Sequence, residues 1–83
     1  MIIEVCGPGC PRCQATKDNV GKALQELGLK DGEDVLVSPI KDPKLIATRG
    51  VMLTPAVIID GVKVSEGRIP NPQEIRKWIE ERQ

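Results

Sequence analysis

The chain runs from an apolar, largely β-branched segment, Ile2-Ile3-Glu4-Val5-Cys6, through Gly7-Pro8-Gly9 and straight into Cys10-Pro11-Arg12-Cys13. That order limits what the first thirty residues can become. A five-residue apolar run suits a buried strand, and the Gly-Pro-Gly stretch breaks it. Pro11 suits the first position of a helix, where its missing N–H costs nothing. From Pro11 to Leu27 the residues Cys13, Val20, Ala23, Leu24 and Leu27 share one helical face, and Gly28 supplies a left-handed stop. All three cysteines lie between positions 6 and 13, and the chain has no histidine, so its chemistry is concentrated in this one segment. A C-x-x-C beside a strand–helix–strand pattern reads as a redox dithiol.

The rest of the chain extends the pattern. Val35–Ile40 predicts a second strand, and Asp42-Pro43 an N-cap with proline at the first position of a short helix ending near Arg49. Pro55–Ile59 and Val62–Ser65 flank Asp60-Gly61, a dipeptide that accepts the positive φ angles of a type I′ hairpin turn. Asn71-Pro72-Gln73-Glu74 resembles a capping box, and Ile75, Trp78 and Ile79 give the last helix an apolar stripe. The order β-α-β-α-β-β-α predicts an α/β domain spanning 1–83, a four-stranded mixed sheet with helices on both faces. Strands joined through helices are expected to be parallel, and the hairpin pair antiparallel. Trp78 is expected to pack in the core, and Arg49 and Arg68 to be solvated.

Several functions are disfavoured. Twelve basic and twelve acidic residues cancel to zero net charge with no long run of either sign, so an electrostatic footprint for nucleic acid or an anionic membrane is missing. One Trp and no Phe or Tyr argue against stacking on bases. The longest apolar runs, Val51-Met52-Leu53 and Ala56-Val57-Ile58-Ile59, are far short of a membrane span. Only Met1 precedes the first strand, which leaves no room for a signal peptide and leads us to expect a cytoplasmic monomer.

Thiol–disulfide exchange needs an attacking thiolate and a second thiol to displace it. Helical residues three apart have Cβ atoms about 5–6 Å apart, near enough for a disulfide. Cys10, at the start of the helix, meets unpaired N–H groups and the positive end of the dipole, with Arg12 adding charge. It is the expected nucleophile. Cys13, one turn further and core-facing, is the expected resolving thiol.

Three anchors, Cys10-Pro11-Arg12-Cys13 after the first strand, Thr54-Pro55 before the third and Asp60-Gly61 in the hairpin, carry a resemblance to the thioredoxin-fold superfamily. The chain most resembles its small archaeal and bacterial members, which approach glutaredoxins in length. The resemblance covers essentially the whole chain. It implies a thiol–disulfide oxidoreductase without a cofactor, acting on disulfide-containing proteins and recharged by a thioredoxin-reductase-like donor. It also implies a cis Thr54–Pro55 bond facing the dithiol, with Pro11, Arg12, Thr54, Pro55 and Gly67 holding a substrate segment. Glu4 lies six residues before Cys10, where thioredoxins keep a buried acid, but the shorter approach loop shifts the register and Glu4 is expected to be edge-facing or partly solvated, with the buried acid as the alternative. Gly9 stands where thioredoxins typically have Trp, Pro11-Arg12 where they have Gly-Pro, and Glu66-Gly67-Arg68 where glutaredoxins keep a Gly-Gly pair. These departures bear on the electron donor more than on the chemistry.

Cys6 leaves a second reading open. Cys6, Cys10 and Cys13 form C-x₃-C-x₂-C, and three thiolates can hold a soft metal or metalloid with one open position. The chain would then be a non-catalytic binding module. On the oxidoreductase reading no metal is bound, and Cys6 is simply a small apolar residue at a strand end.

Overall fold

The computed structural model of the chain describes residues 1–9 and 11–82. β1 (Ile2–Cys6) is the strand expected from the opening apolar run, and α1 (Pro11–Leu27) begins and ends where Pro11 and Gly28 direct it. β2 (Leu36–Ile40) starts one residue later than its sequence suggests, because Val35 forms an isolated bridge with Asp31. In α2 (Pro43–Thr48) the Asp42 side chain accepts from the Lys44 amide at 2.9 Å, which satisfies one of the donors a helix start leaves open. β3 (Ala56–Ile59) and β4 (Val62–Glu66) meet at Asp60-Gly61, whose φ angles of 47° and 83° are those a type I′ turn demands. α3 (Pro72–Arg82) opens on a complete capping box. Asn71 Oδ1 accepts from the Glu74 amide at 2.8 Å, and Glu74 Oε1 accepts from the Asn71 amide at 3.3 Å.

The sheet order is β2-β1-β3-β4, with β1 parallel to β2 and antiparallel to β3, and β3 antiparallel to β4. The expectation that helix-joined strands run parallel holds for β1 and β2 and fails for β3. The reason is the length of α2. Six helical residues rise about 9 Å, whereas a five-residue strand is about 17 Å long, so α2 does not return the chain to the end where β2 began. β3 therefore starts at the same end of the sheet where β2 finishes, with β1 between them, and runs back. Cys6, the last residue of β1, is accordingly paired with both Ile40 and Ala56.

Alternation along the strands builds two cores. Ile3 and Val5 of β1 and Val57 and Ile59 of β3 face Val20, Ala23 and Leu24 of α1 and Ile75 and Ile79 of α3. Cys6, Ala56 and Ile58 face the other way, toward Ile46 of α2, with Ile40 and Val51. β3 is buried at every position because both of its faces are covered. Each isoleucine sealed in this way contributes about 1.5–3 kcal/mol. Trp78 packs against the α1/α3 core as expected.

Arg49 departs from the solvated role expected of it and is partly buried, whereas Arg68 is exposed as expected but paired. Arg49 donates from Nε and Nη2 to Glu4 Oε2 at 2.9 and 2.7 Å and from Nη1 to the Leu45 carbonyl at 2.9 Å, tying the end of α2 to β1. Arg68 donates to both Glu74 oxygens, at 3.1 and 2.6 Å, with its guanidinium 5.9 Å from the Trp78 ring centre. Neither pairing is visible to a local reading of the chain. Among the described residues, no helix is long and apolar enough to cross a membrane.

Candidate active site

One row crosses the sheet at a single end: Ile40 of β2 beside Cys6 of β1, Cys6 beside Ala56 of β3, and Ala56 beside Glu66 of β4. The residues just beyond this row form the site. Gly7 continues β1 and donates its amide to the Ile40 carbonyl at 2.9 Å; Gly67 continues β4 and donates to the Pro55 carbonyl at 2.9 Å. The first turn of α1 enters at the same end. The nucleophile assigned to Cys10 lies outside the described residues.

Cys13 is buried, at 5% exposure, over Gly7. A Cβ built on Gly7 would collide with Cys13 Sγ and come within 3.8 Å of Thr54 Cβ. The sulfur therefore occupies space that only a glycine leaves open, beside the loop that carries Thr54 and Pro55. A pocket of about 80 Å³, lined among others by Gly7, Gly9, Lys17, Pro39 and Lys41, reaches Cys13 from the β2 side. The first turn of α1 carries no acidic residue, so no carboxylate of that turn offsets the positive helix end, which favours thiolate over thiol.

The residues that the resemblance assigns to substrate binding come together here. The Thr54–Pro55 peptide bond is cis, and Pro55 is fully buried. Pro11 is exposed at the start of α1. Arg12 reaches across from the same turn, its Nη2 donating to the Gly67 carbonyl at 3.1 Å. Gly67 has φ 75°, and a Cβ there would sit 3.0 Å from Leu53 Cδ1. Both conformation and close packing therefore require glycine. Next to this cluster Met52 is 89% and Leu53 63% exposed, an apolar shelf at the rim of the site.

Sequence reasoning passed over two residues that shape the site. One is Gly7, whose only signal was its place at the end of the strand before the dithiol loop. The other is Glu66, a charged residue at a strand end with no local pattern to mark it. Its Oε2 accepts from the Met52 amide at 2.5 Å and the Leu53 amide at 3.2 Å, and its Oε1 from Lys63 Nζ at 3.0 Å. The Met52 amide first, then Lys63 and the Leu53 amide, lower the Glu66 carboxyl to about 2. A carboxylate held below its ordinary value stabilises the fold above that value. This contribution is lost as the pH falls from about 4.5 toward about 2.

Cys6 belongs to the other face. It is fully buried in the α2 core with Ile46 and Ile58. Burial first, and the Glu4 carboxylate second, push its thiol up, with Arg49 pulling the other way. A thiol held protonated is a poor nucleophile and a poor metal ligand. Glu4, on the same face, is partly solvated at 17% side-chain exposure and committed to Arg49.

Residues 1–80 match a family model described as a thioredoxin domain. A thioredoxin of Methanocaldococcus jannaschii is 40% identical over 79 residues, which cover 95% of this chain and 86% of that protein. A thioredoxin of Methanothermobacter thermautotrophicus is 32% identical over 79 residues, 95% of this chain and 97% of that protein.

Proposed function

The chain belongs to the thioredoxin family of thiol–disulfide oxidoreductases, and we propose that it reduces disulfides in proteins through Cys10 and Cys13. In this reading the Cys10 thiolate attacks one sulfur of the substrate disulfide. The S–S bond breaks, Cys10 is joined to the substrate, and the departing sulfur leaves as a thiolate that takes up a proton. Cys13 then loses its proton and attacks Cys10 Sγ, releasing the second substrate thiol and closing the Cys10–Cys13 disulfide. Two electrons and two protons pass to the substrate. A thioredoxin-reductase-like donor returns them, and the protein works as a monomer in the reducing setting of the cytoplasm.

The observation that carries the reading is the burial of the Cys13 sulfur against Gly7, near the Thr54–Pro55 loop, at the positive end of α1. A sheltered sulfur there suits a resolving thiol, which must stay out of contact with substrate until the mixed disulfide has formed. The substrate segment lies over Thr54, Pro55 and Gly67, with Pro11 and Arg12 bounding it on the helix side, and its apolar side chains rest on Met52 and Leu53.

A redox titration in thiol/disulfide buffers, with alkylation and peptide mapping at each potential, tests this directly. We expect one two-electron transition confined to Cys10 and Cys13, within the range of about −270 to −120 mV spanned by proteins of this chemistry. Cys6 should label only on unfolding, and Cys6→Ala should leave the transition in place. Three thiols masked together by a bound metal would sink the proposal in favour of the binding module.

A further inference from the structure

The backbone of the Met52-Leu53 shelf is gripped by the Glu66 side chain. The loop from Gly50 to Thr54 lies between α2 and β3, outside any regular element; Val51 packs into the α2 core while Met52 and Leu53 project into solvent. Glu66 grips it from β4. One carboxylate oxygen takes the consecutive Met52 and Leu53 amides, and the other takes Lys63, whose Nζ also donates to the Gly50 carbonyl at 3.1 Å. The next residue, Gly67, pairs with Pro55 on one side and Arg12 on the other. Two adjacent residues thus connect the shelf, the proline loop and the dithiol helix.

We propose that Glu66 is the positioning residue of the substrate-docking loop, presenting Met52 and Leu53 to the apolar residues that flank a target disulfide. The claim rests on the function proposed above and adds to it the group that sets affinity for protein substrates. An exposed apolar side chain contributes to binding only if its backbone is already ordered; otherwise association must also meet the cost of ordering the loop. Hydrogen bonds to a charged acceptor are the strong kind. A single carboxylate accepting two consecutive amides fixes the peptide plane between them, and with it the directions of both side chains. Because the hydrogen bonds of Glu66 go to the Met52 and Leu53 amides and to Lys63, on the backbone side of the shelf, its loss should change docking and leave the sulfur chemistry alone.

The test compares wild type, Glu66→Ala and Glu66→Gln in the reduction of insulin by dithiothreitol, together with amide hydrogen exchange at Met52 and Leu53. For Glu66→Ala we expect faster exchange at both amides and a KM raised about tenfold, the equivalent of one charged hydrogen bond lost from an ordered loop. kcat should stay within about twofold, and the dithiol reduction potential should not move. Glu66→Gln keeps a neutral acceptor at the same reach and should recover part of the affinity. Unchanged exchange, or faster exchange with an unchanged KM, overturns the proposal, as does a fall in kcat with KM constant. If wild type itself does not reduce insulin, the oxidoreductase reading fails and the docking role fails with it, a result distinct from wild-type activity that is indifferent to Glu66.

Discussion

Replacing Cys10 with Ser is expected to abolish disulfide reduction, whereas replacing Cys13 with Ser is expected to stall the reaction after one step. The two variants remove different bonds from the sequence of exchanges. Without Cys10 the two remaining thiols are both buried and cannot reach the substrate disulfide. Cys13 is only 5% exposed and Cys6 is fully buried, with its thiol held protonated. Serine cannot substitute, because its hydroxyl does not ionise near neutral pH as a thiol does. In Cys13→Ser the first attack proceeds and one substrate thiol is released, but nothing displaces the second, so a covalent Cys10–substrate adduct accumulates. Insulin reduction measures the first effect, and mass spectrometry of non-reduced adducts the second. Turnover by Cys10→Ser, or no adduct with Cys13→Ser, would assign the chemistry to other groups.

What the chain discloses in advance depends on how far apart the interacting residues lie. β1, α1, the Asp42 and Asn71 caps and the Asp60-Gly61 turn were legible because each is encoded within a few consecutive residues whose backbone preferences agree. The cysteine spacing was legible for the same reason. The direction of β3 was not, since it follows from the brevity of α2 and from where β2 ends, neither of which is a property of residues 56–59. The site's supports were hidden by distance. Glu4 meets Arg49 across 45 positions and Arg12 meets Gly67 across 55, and only the folded sheet brings their ends together. Glu66 differs again. Read along β4 it is an ordinary charged residue at a strand end, and its function appears only when the irregular loop it grips has a position. The resemblance to thioredoxins supplied Thr54, Pro55 and Gly67 as a set, which spacing alone could not.

Gly7→Ala is expected to lower disulfide reduction about a hundredfold in a protein that still folds. Gly7 does not adopt a positive φ, so alanine meets no backbone penalty, and the whole effect comes from one methyl group. That group would occupy the place of Cys13 Sγ, and Gly7 itself is anchored by its bond to the Ile40 carbonyl. The sulfur must therefore give way, by about 1.5 Å to restore van der Waals separation. Overpacking of this kind costs about 1–3 kcal/mol of stability. A misplacement of similar size in a reacting group costs about a hundredfold in rate, and in the proposed mechanism the misplaced atom is the one that attacks along the Cys10–substrate S–S axis. The deficit should thus fall on the resolving step: mixed disulfide should build up during turnover, and the Cys10–Cys13 disulfide should become easier to reduce. Gly21→Ala provides the control. Gly21 lies on the same helix with nothing within 4 Å of the added Cβ, so alanine should stabilise the protein by about 0.5–1 kcal/mol and leave turnover unchanged. Thermal melts, insulin reduction and the redox titration on the three proteins separate the alternatives. Wild-type turnover and potential in a folded Gly7→Ala would mean that Cys13 has room to move, and that the glycine serves the strand end rather than the sulfur.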